Sequence, residues 1–223
     1  MTVTKVVLDS IIGAAAFTKA LLYNKTIGDE LESLDTRASA SEAEHTDRWD
    51  DLRFPAATVN PPGAASDPDR DTTDGNLLFD GASTELVLFL ALMPHKWKDA
   101  SDIKPHVHWS KTTSAAGDVL WRLEYQIAEP GSAFSGSWTA LTDVTDAVAG
   151  TPDNDTADEH LISSFDDIDM SGITTTAPII KFKLSRIGGD ASDTYNGADA
   201  KLLEFDVHYQ IDSRGTTGVF ADV

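Results

Sequence analysis

The chain of 223 residues contains no cysteine, which excludes disulfides, thiolate-bound metals and cysteine catalysis. Positive charge is scarce. Seventeen Lys and Arg stand against 37 Asp and Glu, a formal charge of −20, so the clustered cations that bind phosphate are missing and no nucleic-acid partner is expected. Long apolar runs are also lacking: "IIGAAAF" (Ile11–Phe17) and "LVLFLALM" (Leu86–Met93) fall well short of the ~20 residues that span a bilayer. The sequence therefore predicts a soluble chain without a membrane partner. Its N-terminus lacks the basic stretch and long apolar run of a secretory signal, so export by that route is not expected. Neither a Gly-x-Ser-x-Gly elbow nor a glycine-rich phosphate loop before a helix is present, and no enzyme is expected.

What is present divides the chain in two. Residues 1–45 combine a small-residue apolar run with "DELESLDTRASASEAE", whose best apolar stripe is Ile27, Leu31 and Leu34; alone this is a marginal helix. Asp51–Gly75 is dense in Pro, Asp and Gly and predicts an extended connector with turns. The expected boundary is near residue 75, with an arm and connector over 1–75 and a sandwich domain over 76–223.

Beyond it, short strands alternate with turn residues. The pattern predicts strands at Asn76–Asp80, Glu85–Met93, Ile103–Lys111, Val119–Ala128, Ser137–Val144, Glu159–Phe165, Pro178–Ile187 and Lys201–Asp212. Eight strands in roughly 140 residues, with no strand-helix alternation, predict an all-β antiparallel sandwich of jelly-roll type with a partly helical or extended N-terminal arm. Three strands give one dry and one polar face. In the third, Ile103, Val107 and Trp109 oppose Lys104, His106 and His108; in the last, Leu203, Phe205, Val207, Tyr209 and Ile211 oppose Glu204, Asp206, His208 and Gln210. "LVLFLALM" is apolar at both parities and needs cover on both faces, from the N-terminal third or from another subunit.

Several motifs invite a chemical reading. His106-x-His108 is similar to the metal-binding pair of cupins, but Ala100 stands where that pattern wants Gly, and Thr112 and Thr113 where it wants Glu. Parity places both imidazoles on the polar face, so no metal and no cofactor are expected there. Two acidic loops, with Asp67, Asp69, Asp71 and Asp74 and with Asp153, Asn154, Asp155, Asp158 and Glu159, offer oxygen ligands for calcium. They depart from EF-hand spacing and read as solvated turns. Glu124 and Glu204 could serve glycoside hydrolysis only across a shared cleft; pairing with Arg122, Lys181 or Lys183 along a sheet is the expected role. Trp109 and Trp121 belong to the core, whereas Trp97 and Trp138 stay free for sugar stacking or interface packing.

The blocks "WDDLRFPAATVNPPGAASDPD", "DIKPHVHWSKTTSAAGDVLWRLEYQIA" and "GGDASDTYNGADAKLLEFDVHYQID" resemble segments of virion structural proteins encoded by tailed bacteriophages. The resemblance covers most of residues 49–212 and transfers no catalytic residue. It implies a virion component, most naturally a head decoration or cement protein. Such a protein would form homotrimers on the outer surface of the phage head, bind the major capsid protein, and be made in the host cytoplasm. On this reading Ile11, Ile12, Phe17, Leu21, Leu22, Leu86, Leu88, Leu90 and Trp97 are the candidate subunit or capsid contacts. His106, His108, Glu204, Asp206 and His208 line solvent or a polar subunit boundary. Acidification toward pH 5 would loosen such a boundary unless acidic neighbours stabilise the protonated imidazoles. The alternative is a host-recognition or fibre-type protein that binds a surface glycan.

Overall fold

The structure, a computed structural model, describes residues 27–37, 48–145, 156–173, 175 and 177–211. The chain divides into two compact units, Met1–Asp47 and Arg48–Val223. In the first, residues 27–37 form a helix with Ile27, Leu31 and Leu34 exposed. The Thr36 hydroxyl donates to the Glu32 carbonyl (2.8 Å) one turn back. Ile11, Ile12, Phe17, Leu21 and Leu22 lie outside the described residues.

The second unit contains eleven strands among the described residues: β1 (Arg48–Pro55), β2 (Asp69–Arg70), β3 (Leu77–Phe79), β4 (Thr84–Leu92), β5 (Ile103–Lys111), β6 (Leu120–Ala128), β7 (Thr139–Ala140), β8 (Val144–Thr145), β9 (Leu161–Ser164), β10 (Ile179–Ile187) and β11 (Ala200–Ile211). They form two antiparallel sheets. One runs β2-β3-β11-β5-β9 with β1 also on β11; the other runs β4-β10-β6-β7 with β8 also on β6. From β3 to β6 successive strands alternate between the sheets; β9 then adds to the outer side of β5, β10 fills the gap between β4 and β6, and β11 the gap between β3 and β5. This is the strand order of a jelly roll, and the expected fold class holds.

The boundary near residue 75 does not hold. Arg48–Pro55 pairs with β11 over its whole length, Arg48 opposite Ile211 and Pro55 opposite Glu204. Leu52 and Phe54 are its inward residues, and the Phe54 ring lies 5.8 Å from Phe205 and 5.6 Å from Phe89. The Pro and Asp content of this stretch is compatible with an edge strand, where Pro55 interrupts no interior ladder. The compact unit thus starts at Arg48.

Interdigitating aromatic rings hold the sheets together. Phe205 of one sheet packs on Phe89 (4.8 Å) and Phe182 (5.1 Å) of the other, and Trp121 on Phe79 (5.2 Å) and Trp109 (6.0 Å). Each such pair is worth about 0.5–1.5 kcal/mol beyond its buried area. The Trp109 indole donates to Ser163 Oγ (2.9 Å), which satisfies its buried N–H. Trp97, expected at a surface, is buried and donates to the Ser101 carbonyl (3.2 Å); the turn after Pro94 folds it inward instead of presenting it to a subunit.

At one end of the sandwich, fully buried Arg186 uses all five guanidinium N–H groups. It donates to both Asp193 carboxylate oxygens (2.9 and 2.8 Å) and to the carbonyls of Phe79, Ala198 and Tyr195 (2.8, 2.9 and 2.5 Å). The Asp193 carboxylate also accepts from the Leu120 N–H (3.1 Å). This clasp ties β3, the start of β6 and the β10–β11 loop together. Gly188 lets the chain close beside it, because a Cβ there would meet the carbonyl oxygens of Ser83 and Asp80 at 2.4 and 2.6 Å.

Candidate functional site

Pairing alone brings the histidines together. On the outer face of the first sheet, β5 places His106 opposite Asp206 and His108 opposite Glu204 of β11. On the far edge of β11, Asp51 of β1 faces His208 and Arg53 faces Asp206. On the other side β9 sets Ile162 opposite His108, and His160, just before β9, reaches the same face. These residues, with Leu203, line a shallow basin of about 500 Å³. All five expected polar-face residues therefore meet in one place.

Leu203 reaches the basin through a bulge. The β11 register with β5 shifts between Leu202 and Glu204, so Leu202 enters the core, Leu203 is the extra residue, and Phe205, Val207 and Tyr209 resume the inward face. Simple alternation had assigned Leu203 to the dry face; the bulge reverses that assignment.

Asp206 is the hub. Its side chain is only 7% exposed, with Oδ1 2.5 Å from His106 Nε2 and Oδ2 3.3 Å from His108 Nε2. His108 Nδ1 in turn stands 2.6 Å from His160 Nε2. The His106 ring packs edge-on against the His208 ring (4.4 Å), and His208 Nε2 is 3.0 Å from Asp51 Oδ1. Glu204, at the rim, takes a two-point contact from Arg53 (2.5 and 2.8 Å). His106 Nε2 is thus the close partner of Asp206 Oδ1.

The electrostatics follow from burial against proximity. Burial pushes the Asp206 carboxyl up, but hydrogen bonds from His106 and His108, and their charges, bring its pKa down to about 2. Burial pulls His106 down, yet the hydrogen bond and charge of Asp206 outweigh it and the net shift is upward. Asp206 thus favours the charged form of His106.

The other candidate sites resolve differently. Glu124 pairs with Lys183 (2.5 Å) on the second sheet, while Glu204 lies on the first; they share no cleft, so the paired-carboxylate arrangement of a glycosidase does not form. Arg122 instead takes Asp143 (2.6 Å). Asp71 and Asp74 of one acidic loop and Asp158 of the other surround Lys201, whose ammonium lies 2.8, 3.2 and 3.9 Å from them; Asp153, Asn154 and Asp155 lie outside the described residues. Lys183 lies over the half-buried Trp138 ring (5.0 Å). In β4, Val87, Phe89 and Ala91 enter the core, and Leu88, Leu90 and Leu92 point outward at 42%, 62% and 59% exposure.

Asp51, Arg53 and His160 were not singled out from sequence. The alternation of Leu52 and Phe54 against Asp51 and Arg53 was a usable signal within a stretch dominated by Pro and Asp. For His160 the parity with Ile162 was readable, but the pairing of β9 with β5 was not.

No protein-family model matches the chain, and no curated protein matches it. Solved structures similar to it include a family 35 carbohydrate-binding module from an environmental isolate (12% identity, TM-score 0.41, 70% of this chain and 91% of that one). The CBM35 of Cellvibrio japonicus Abf62 is another (11%, 0.37, 75% and 95%). A third is the infectious bursal disease virus Gt strain structure (18%, 0.34, 74% of this chain), of whose chain only 34% is spanned. Among the described residues no helix is long and apolar enough to cross a membrane. The jelly-roll assignment itself rests on the strand order.

Proposed function

We propose that this chain is a non-enzymatic virion structural protein, a decoration or cement protein that assembles as a homotrimer, binds the major capsid protein on the outer capsid surface and stabilises the head. The observation that carries the reading is the row Leu88, Leu90 and Leu92. It lies outward on β4, the end strand of its sheet, and no strand among the described residues pairs its other edge. Three exposed leucines in line on an edge strand are costly in water and invite pairing. A neighbouring copy of the chain is the occupant that removes both problems. The resemblance of residues 49–212 to phage virion proteins supplies the setting, and the acidic surface suits a protein outside the shell.

The test is native mass by light scattering for the wild type and for Leu90→Asp, followed by co-sedimentation with phage heads that lack the protein. A wild-type trimer that Leu90→Asp dissociates, and that binds heads in many copies, supports the reading. A wild-type monomer that fails to bind heads sinks it, and measurable glycan affinity in that monomer establishes the host-recognition alternative.

A further inference from the structure

We propose that His106, His108 and Asp206 bind a divalent transition-metal ion of the zinc class, with His160 orienting His108 from behind. The inference is independent of the virion reading, since it rests on one face of one sheet. The donor atoms of the three residues lie within 4.8 Å of one another. Two imidazoles and one carboxylate are a donor set for zinc, cobalt or nickel rather than for calcium or magnesium, which take oxygen.

The distances suit such an ion. Metal–ligand bonds of about 2.0–2.2 Å in a tetrahedron set neighbouring donors about 3.3 Å apart. The imidazoles meet different oxygens of the carboxylate, His108 Nε2 with Oδ2 at 3.3 Å and His106 Nε2 with Oδ1 at 2.5 Å; ligation through Oδ2 keeps the first spacing and requires His106 to draw away from Oδ1. Burial adds to this: the side chains of His106 and Asp206 are only 9% and 7% exposed, so a cation bound between them would offset the desolvation of the carboxylate.

The outer partner is also in place. A metal-bound imidazole commonly gives its remaining N–H to an acceptor that fixes the ring, and His108 Nδ1 has His160 Nε2 at 2.6 Å. The neighbouring set of Asp51, Asp206 and His208 competes for the same carboxylate. It is the weaker choice, because Asp51 and His208 are far more exposed than His106 and Asp206. Bound at the first set, the ion joins β5 to β11 directly and to the approach to β9 through His160. Its remaining coordination position opens on the basin.

The experiment is calorimetric titration of the untagged full chain, stripped of metal by chelation, with zinc chloride, backed by the visible absorption of the cobalt form. One equivalent should bind in the micromolar range or tighter. His108→Gln and Asp206→Asn should weaken binding by at least ~100-fold, and His160→Ala by about tenfold. His208→Ala should stay within about threefold of wild type. Should Asp206→Asn fail to fold by circular dichroism, His108→Gln, at a partly exposed position, decides alone. Absence of wild-type binding at about 100 μM zinc overturns the proposal and leaves a proton-bridged His–Asp cluster. Binding that His208→Ala removes and His108→Gln does not overturns it as well.

Discussion

Two buried charge clusters in this sandwich look alike by burial and differ in completion. Around Arg186 every guanidinium N–H has an acceptor, and the side chains of Arg186 and Asp193 are both fully buried. Around Asp206 the carboxylate is nearly as deep, yet its partners are two imidazoles that line an open basin. A closed cluster of this kind holds chain segments in place. An open one keeps capacity for something more, which is why burial alone does not separate architecture from a binding site.

The comparison can be broken most forcefully at the closed end. Arg186→Met leaves Asp193 charged and buried and strands three carbonyls, so it should cost about 3–5 kcal/mol and lower the melting temperature by roughly 10 °C. A loss under about 1 kcal/mol in a urea titration would show that the clasp is not structural. The open end should instead respond to ligand. At a hundredfold excess over Kd, zinc should add about 2.7 kcal/mol to the chelated wild type and nothing comparable to Asp206→Asn. An equal gain in both proteins would place the metal elsewhere.

The smallest effect belongs to a third ion pair, exposed Lys96 with Asp50, which serves as a baseline. Asp50 is held below its ordinary 3.8 chiefly by the Lys96 hydrogen bond, against burial and with help from the Asp51 N–H and the Tyr209 hydroxyl. A lowered carboxylate contributes stability that is present above the unfolded value and is lost as pH falls through the folded one. Asp50→Asn should therefore cost less than about 1 kcal/mol at pH 7, with the difference closing below pH 3.8. A difference that grows on acidification would reverse the sign and sink the assignment.

Local patterning made much of this fold legible. Ile103–Lys111 agrees end to end with β5, and β4, β6, β10 and β11 differ from their expected spans by one residue at an end or so, because long alternating strands carry the period-2 signal of a half-buried sheet. The polar face with His106, His108, Glu204, Asp206 and His208 followed from the same parity. What stayed hidden was non-local. Neither the return of β1 to β11 nor the meeting of His160 with His108 is written in any short window, and the bulge at Leu203 depends on pairing with β5. Trp97 was misplaced because a loop position says nothing about which way the turn folds.

Among the described residues, the central strands of both sheets are the last two in chain order. β10 separates β4 from β6, and β11 separates β1 and β3 from β5. During synthesis, then, neither sheet can close until Ile179 and then Ala200 have been made. Before that point β1 has no partner, β3 has only β2, and β5 has only β9. The nascent sandwich must wait with open strand edges, a slow and aggregation-exposed route, and a chain truncated before β10 would yield no smaller sandwich at all.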